Sequence, residues 1–323
     1  MKAEEKLSVI IPVFNEEGSL NFLNTKLISI LSGTGMEFEL IYVDDGSTDN
    51  SFKLLSSISG LGKGVKVVRL TKNYGQTLAM QAGIDHASGG LIVFIDADLQ
   101  NDPADIPKLL AKLNEGYDVV SGWRRVRRDR LFTRRVPSFI ANKIISWLTG
   151  VRLHDYGCTL KIYRKKFLHD IRLYGQMHRF IPVYAVMRGA SIAEIEVSHF
   201  KRMRDKSKYG LGRISNVILD LITARFLEKY AVKPSYLFGK IGMSFISMGF
   251  LTGIIIVVRK IFFQGIWLSP MLFMSLAFII AGIQSILTGL LAEILVRIYH
   301  RSSPEPTYLV KETLGRSGAL REN

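Results

Sequence analysis

The sequence has little cysteine and few acidic residues, and both shortages limit what the protein can be. Cys158 is the only cysteine among 323 residues, so no disulfide can form within the chain, and a reducing compartment is compatible with the sequence. Lysine and arginine number 43 against 28 aspartates and glutamates, which gives a formal net charge of +15. This excess predicts an anionic partner such as a phosphate, a nucleic acid or a membrane surface.

Two common phosphate-binding motifs are also missing. No Gly-x-Gly-x-x-Gly follows the first apolar run, and no Walker A sequence occurs, which disfavours the dinucleotide-binding and P-loop folds. The glycine-rich stretch at residues 60–64 precedes a predicted strand, and we interpret it as a flexible loop. The N-terminus carries acidic residues and only a short apolar run, so we expect no signal peptide there.

Charge is absent from two long stretches, residues 241–258 and 261–292. A membrane-spanning helix needs about 20 apolar residues, and the first stretch reaches that length if residues 237–239 join it and Lys240 extends to the interface. Two core helices of a soluble domain are the alternative, but little downstream sequence remains to cover them. We therefore predict a two-helix membrane hairpin with both termini on one side, which the basic N-terminal part makes cytoplasmic.

The N-terminal part alternates short apolar runs with helical patterns. Strands are predicted at residues 7–13, 38–43, 65–70, 91–95 and 117–121. Strands that alternate with helices of 10 to 15 residues indicate an α/β fold with a doubly wound, mostly parallel sheet.

Acidic residues follow three of these strands. They are Glu16, Asp44, Asp45, Asp96 and Asp98. Ligands of open α/β sheets bind at the carboxyl ends of the strands, and a carboxylate pair with Gln100 nearby suits Mg²⁺ or Mn²⁺ carrying a diphosphate. Each acid alone could be a helix cap or a solvated turn residue. Their joint position at successive strand ends is what indicates a binding site.

Residues 9–17 (VIIPVFNEE), 43–47 (VDDGS) and 96–100 (DADLQ) resemble glycosyltransferase family 2 in its GT-A fold. The resemblance covers residues 7 to about 210. The apolar helix pair that follows is similar to that of the polyprenyl-phosphate glycosyltransferases of this family. Residues 155–158 (DYGC) most resemble the undecaprenyl-phosphate aminoarabinose transferases.

The resemblance implies a domain plan and roles for single residues. A GT-A nucleotide-sugar-binding domain is expected at 1–210, an interfacial helix and linker at 211–235, two transmembrane helices at 236–297, and a cytoplasmic tail at 298–323. Nucleotide-sugar binding is assigned to Pro12, Phe14, Asn15, Glu16, Asp44 and Asp45. Metal ligation is assigned to Asp96, Asp98 and Gln100, with Mg²⁺ or Mn²⁺ as the cofactor. Catalytic roles are assigned to Asp98 and to Asp155, which would orient the reacting groups unless it only caps the turn after it.

Two basic segments fit a lipid phosphate acceptor. Seven arginines between residues 124 and 135 precede an amphipathic stretch, and we predict an interfacial helix at about 131–149; a solvated charged face is the alternative. A second basic cluster occupies residues 201–208 (KRMRDKSK), where Asp205 replaces the usual glycine of the family. By resemblance, the acceptor phosphate and the diphosphate are bound by Arg124, Arg134, Ser138, Arg202, Ser207 and Lys208.

The implied reaction moves a sugar from a nucleotide diphosphate to a polyprenyl phosphate such as undecaprenyl phosphate, with inversion and metal dependence. The second pKa of a phosphate monoester lies near 6, so the acceptor is already a nucleophile and a strong general base is not required. Stabilisation of the departing diphosphate falls to the metal together with Arg202 and Lys208. UDP-glucose is the donor we expect first.

Other readings of the sequence remain. A membrane-anchored binding or scaffold protein with a non-catalytic transferase domain would share the same motifs. Nucleic-acid binding by the arginine run would bring salt-sensitive affinity, but no aromatic platform or recognised module accompanies that run. A homo-oligomer is possible, with the tail after Arg301 exchanged between subunits.

Overall fold

The structure, a computed structural model, describes residues 6–61, 64–125, 146, 149–169, 171, 173, 177–200, 235–263, 270–301 and 308–315. The chain divides into two compact units. One unit comprises residues 1–221 together with 306–323, and the other comprises residues 222–305.

Eight strands of the described residues form one sheet in the first unit. They are β1 (Leu7–Val13), β2 (Phe38–Asp44), β3 (Val65–Leu70), β4 (Leu91–Phe94), β5 (Val119–Trp123), β6 (Lys161–Arg164), β7 (Ile192–Glu196) and β8 (Val310–Leu314). Their order is β7-β5-β6-β4-β1-β2-β3-β8. Pairs β1–β2, β1–β4, β2–β3 and β5–β7 are parallel, whereas β6 and β8 pair with their neighbours antiparallel. The mixed but mainly parallel sheet confirms the predicted fold class.

Helices of the first unit cover the sheet. Among the described residues, the α-helices are α1 (Leu20–Ser32), α2 (Ser51–Leu61), α3 (Gln76–His86), α4 (Ile106–Asn114) and α5 (Ile181–Met187). Alternate residues of β1 enter two different cores, since Val9 packs in one and Ile10 in the other. Both faces of the central strands are therefore buried, which explains their nearly continuous apolar sequence.

Several expected boundaries differ from the structure. Three strands, β6, β7 and β8, were not predicted, and β5 lies two residues later than expected. Helix α2 includes Gly60 and Leu61, so part of the stretch interpreted as a loop is helical. Strand β8 belongs to the sheet, although residues 298–323 were expected to be a separate tail. The predicted interfacial segments lie outside the described residues, except for 146, 149 and 235, the last of which begins the next helix.

The second unit contains α6 (Ser235–Phe263) and α7 (Pro270–Arg301). Residues Leu237–Phe262 and Pro270–Ala292 are long and apolar enough to cross a membrane, and large side chains such as Phe250 and Phe273 are exposed within the unit. The first helix continues to Phe263, beyond the charge-free stretch that ends at Val258.

Small residues lie where α6 and α7 touch. A Cβ added to Gly242 would lie 2.6 Å from the carbonyl oxygen of Gly282. Ser275 Oγ donates a hydrogen bond of 2.7 Å to the carbonyl oxygen of Gly249. Close backbone approach and interhelical hydrogen bonds of this kind are typical of helix pairs in lipid.

Candidate functional site

The loops after β1 and β2 are fastened to each other at the carboxyl end of the sheet. The backbone N–H of Asn15 donates to Ser47 Oγ at 3.1 Å, and the backbone N–H of Thr48 donates to Asn15 Oδ1 at 2.8 Å. The backbone N–H of Glu16 donates to Ser51 Oγ at 2.9 Å. Asn15 thus joins the two loops that carry the expected nucleotide-binding residues, including the half-buried Phe14.

Asp44 is fully buried at the end of β2. Its Oδ1 accepts a hydrogen bond from the backbone N–H of Ser47 at 3.2 Å. Its Oδ2 has no hydrogen-bond partner among the described residues and lies 3.6 Å from Arg69 Nε. Burial raises the pKa of Asp44, while the bond to Ser47 and the charge of Arg69 oppose that rise. The structure therefore leaves one oxygen of this carboxylate able to accept a further hydrogen bond.

The neighbouring Asp45 has a different environment. Its two oxygens accept hydrogen bonds from the backbone N–H groups of Tyr74, at 2.7 Å, and Gly75, at 2.9 Å. Gly75 has a φ of 92°, a conformation that favours glycine. Burial raises the pKa of Asp45 to about 6. Asp45 was expected to bind the nucleotide. In the structure its hydrogen bonds hold the loop before α3 in place.

The acidic turn after β4 is fixed from two sides. Gln76 Nε2 donates to Asp96 Oδ1, and Thr159 Oγ1 donates to Asp96 Oδ2, both at 2.7 Å. Asp98 Oδ1 accepts a hydrogen bond of 3.1 Å from the backbone N–H of Gln100. Neither Gln76 nor Thr159 stands in a motif, so sequence reasoning missed both.

Backbone strain marks the same region. In the described part of the chain, Asn15 (φ 56°) and Leu99 (φ 61°) are the non-glycine residues with positive φ. One follows β1 and the other lies inside the acidic turn after β4. Conformations of this kind are costly and cluster at functional sites, which supports the assignment of the site to these strand ends.

The acidic turn suits a metal that arrives with its substrate. Among the described residues, no group of three or more His, Cys, Asp or Glu side chains could hold a metal ion. Asp96, Asp98 and Gln100 offer hard oxygen donors, and all three are half-buried. Because Mg²⁺ is commonly bound by one or two carboxylates plus substrate phosphates, this donor set fits a metal–diphosphate complex. Metal ligation by these residues stays a prediction.

Two predicted site residues bind each other. Arg124 Nε lies 2.7 Å from Asp155 Oδ2, and Arg124 Nη2 lies 3.1 Å from Asp155 Oδ1. Asp155 is 1% exposed. Burial acts against the charged guanidinium, but Asp155 raises the pKa of Arg124. Arg124 was expected at the acceptor phosphate, and in the structure its guanidinium compensates the buried Asp155.

Other residues expected at the acceptor and diphosphate lie outside the described residues. They are Arg134, Ser138, Arg202, Ser207 and Lys208. The expected nucleotide residue Pro12 is half-buried within β1.

Comparisons with known proteins agree with this arrangement. A model of the family described as "Glycosyl transferase family 2" matches residues 8–192. Dodecaprenyl-phosphate galacturonate synthase of Rhizobium johnstonii is 41% identical over 312 residues, which cover 95% of this chain and 92% of the relative. Undecaprenyl-phosphate 4-deoxy-4-formamido-L-arabinose transferase of Proteus mirabilis is 37% identical over 96% of this chain and 94% of its own length.

A solved structure shares the fold of the sheet-containing unit. Glucosyl-3-phosphoglycerate synthase from Mycobacterium tuberculosis, in complex with Mn²⁺, UDP and glucosyl-3-phosphoglycerate, superposes with a TM-score of 0.55. It is 22% identical in sequence, and the match covers 69% of this chain and 81% of that one. At this identity the likeness concerns the GT-A fold alone.

Proposed function

The chain belongs to glycosyltransferase family 2, and from this we propose that it transfers galacturonate from UDP-galacturonate to a polyprenyl phosphate at a membrane. Relatives that match nearly the full chain are polyprenyl-phosphate sugar transferases, and the enzyme class is a glycosyltransferase. The relatives named above do not support the UDP-glucose expected from the sequence. Galacturonate is preferred because the galacturonate synthase is 41% identical to this chain, whereas the transferase of 4-deoxy-4-formamido-L-arabinose is 37% identical.

The observation that carries the proposal is the convergence of acids at the ends of β1, β2 and β4. Asp44 keeps one buried oxygen without a hydrogen bond in the described part of the chain, and a nucleobase N–H could donate to it. Asp96 is held by Gln76 and Thr159, which fixes the turn that carries Asp98. The nucleoside would therefore lie near Asp44 and the diphosphate near Asp98.

The proposed reaction at the acidic turn after β4 depends on the negative charges of the acceptor phosphate and the leaving diphosphate. An oxygen of the acceptor phosphate forms a bond to the anomeric carbon while the bond from that carbon to the diphosphate oxygen breaks, so the configuration inverts. Mg²⁺ or Mn²⁺ bound at Asp96, Asp98 and Gln100 would neutralise the leaving diphosphate. The acceptor dianion needs no strong base, which leaves the buried Asp155 an orienting role through its bond with Arg124.

Membrane attachment follows from α6 and α7, and we propose that the catalytic unit and both termini lie on the cytoplasmic side. The large excess of basic residues outside the hairpin supports that side. Reporter fusions at the two termini test it, and opposite locations for the two reporters would contradict a hairpin.

A transfer assay tests the proposed reaction. Membranes that express the full chain would receive undecaprenyl phosphate, radiolabelled UDP-galacturonate or UDP-glucose, and Mg²⁺, Mn²⁺ or a chelator. The Asp98→Asn variant would be compared with Glu115→Gln, which removes one exposed carboxylate at the end of α4. We expect lipid-linked galacturonate from the wild type and the control, and none from Asp98→Asn or with chelator.

Two outcomes would contradict the proposal in different ways. A lipid product from UDP-glucose but not from UDP-galacturonate would refute the donor. Binding of UDP without transfer of either sugar would also refute the donor, and the absence of transfer from a nucleotide donor of 4-deoxy-4-formamido-L-arabinose as well would support the non-catalytic scaffold protein, the alternative that the motifs alone leave open.

A further inference from the structure

Three charged residues stand side by side on adjacent strands. Asp44 on β2 is in register with Arg69 on β3, and Arg69 is in register with Glu312 on β8. Arg69 Nη1 lies 2.9 Å from Glu312 Oε1, and Arg69 Nε lies 3.6 Å from Asp44 Oδ2. The charged row therefore connects the C-terminal strand with the buried carboxylate at the end of β2.

We propose that Glu312 is a positioning residue for the donor nucleotide and that it acts through Arg69 on Asp44. The inference rests on the proposed function, in which Asp44 accepts a hydrogen bond from the nucleobase. No motif in the sequence marks Glu312 or Arg69.

Arg69 is held by more than its two acidic neighbours. Its guanidinium carbon lies 3.8 Å from the centre of the Phe52 ring, which α2 supplies. The guanidinium is thus bound by Glu312 on one side and stacked on an aromatic face. This arrangement fixes the distance between Arg69 Nε and Asp44 Oδ2.

That distance lets Asp44 remain charged and still accept a hydrogen bond. A fully buried carboxylate is costly unless an opposite charge is near, and Arg69 at 3.6 Å supplies that charge. The separation exceeds an ordinary hydrogen bond, so Oδ2 keeps a lone pair for a ligand N–H. Arg69 compensates Asp44 without occupying the oxygen that the nucleotide needs.

Loss of the Glu312 carboxylate would change this balance. Asp44 would then be the one remaining acid within ion-pair distance of Arg69 among the described residues. We expect the guanidinium to move into hydrogen-bond contact with Asp44 Oδ2. The nucleotide would have to displace it, and its affinity would fall.

Strand β8 should stay in place without this carboxylate. The backbone N–H of Thr71 donates to the carbonyl oxygen of Leu309 at 3.0 Å, and Tyr308, which is buried, donates its hydroxyl to Asp85 Oδ2 at 2.7 Å. The ladder between β3 and β8 adds backbone hydrogen bonds. Substitution of Glu312 should therefore change nucleotide binding while β8 stays paired with β3.

The test measures UDP binding by calorimetry on the full-length protein in detergent with Mn²⁺, together with KM and kcat for the donor. The variants are Glu312→Gln, Glu312→Asp and, as control, Lys311→Gln, which removes an exposed charge from the same strand. We expect Glu312→Gln to raise the Kd for UDP and the donor KM about tenfold with kcat unchanged, the size of one charge-assisted hydrogen bond. Glu312→Asp should recover part of the loss, and Lys311→Gln should match the wild type.

The contrary results separate failure of the positioning role from failure of the nucleotide site. Unchanged UDP affinity in Glu312→Gln would overturn the positioning role, and so would a fall in kcat and unfolding temperature with KM unchanged. A wild-type protein that does not bind UDP would instead refute the proposed nucleotide site itself.

Discussion

Removal of the Arg124 guanidinium should destabilise the sheet-containing unit because it leaves Asp155 charged and buried. Asp155 is 1% exposed and would keep hydrogen bonds from two backbone N–H groups, that of Gly157 at 3.1 Å and that of residue 124 at 3.4 Å. Loss of one partner of a buried ion pair costs about 3–5 kcal/mol, and these remaining bonds favour the lower end. At about 2–4 °C per kcal/mol for a unit of this size, Arg124→Leu should unfold about 6–12 °C below the wild type.

Thermal unfolding of the purified full-length protein in detergent, followed by circular dichroism, measures this difference. The double variant Arg124→Leu/Asp155→Leu should regain most of the loss, since it removes both members of the buried ion pair. Arg125→Leu is the matched control, because the guanidinium of Arg125 is exposed and pairs with the exposed Glu196. A surface pair of this kind contributes at most about 1 kcal/mol.

An unfolding temperature of Arg124→Leu equal to that of Arg125→Leu would refute the reasoning. It would show that Arg124 does not compensate Asp155. If Arg124→Leu lost sugar transfer but not stability, the result would support binding of the acceptor phosphate by Arg124, the role expected from the sequence.

Three further predictions concern packing and pH. Gly83→Ala should cost about 1–3 kcal/mol in unfolding experiments, because its Cβ would lie 2.2 Å from an isoleucine side chain of β1. Gly60→Ala, whose Cβ would meet no atom of the described residues within 4 Å, should not destabilise. Gly249→Val should lower the unfolding temperature of the detergent-solubilised protein, because the Cβ would meet α7 at 2.6 Å, and Gly239→Val, again with no described atom within 4 Å, should have little effect. Burial raises the pKa of Asp45 from 3.8 to about 6, so its contribution to stability is present below pH of about 4 and is lost as pH rises through about 6. Thermal unfolding between those values should show the wild type losing stability relative to Asp45→Asn, and parallel pH profiles would count against the raised pKa.

The parts of the fold that the sequence predicts are those whose signals are local. Strands β1, β2 and β4 are mainly apolar runs that are buried on both faces, and their positions follow from the residue pattern alone. Strand β6 (KIYR) begins with a buried lysine whose amine donates to the carbonyl oxygens of Tyr156 and Cys158. No sequence periodicity predicts that such a lysine lies in a strand, because the carbonyl groups that bind it are brought near only when the chain folds.

Long-range pairing explains the other missed elements. Strand β7 (IAEIE) is half-buried at one edge of the sheet and carries two acids, and β8 (VKETL) pairs with a strand far away in the chain. Neither segment is a continuous apolar run, so neither is recognised as a strand when the partner strand is unknown.

The candidate site divides in the same way. The sequence predicts that the acids lie at strand ends, and the structure brings them together at the carboxyl end of the sheet. Sequence patterns do not separate Asp44, which keeps an available oxygen, from Asp45, whose oxygens are both used by the backbone. The supporting contacts of Asp96 come from Gln76 and Thr159, ordinary polar residues whose role exists only after folding.

Strand β8 also determines when the sheet can be completed during synthesis of the chain. Glu312 is separated from its partner Arg69 by 243 positions, and both apolar helices are synthesised between them. A ribosome-bound chain that has not yet reached β8 leaves β3 with an open edge, which favours pairing with other chains. Completion of the sheet must therefore await synthesis of the hairpin, and nascent chains cut short before β8 should be targets for chaperones and proteases.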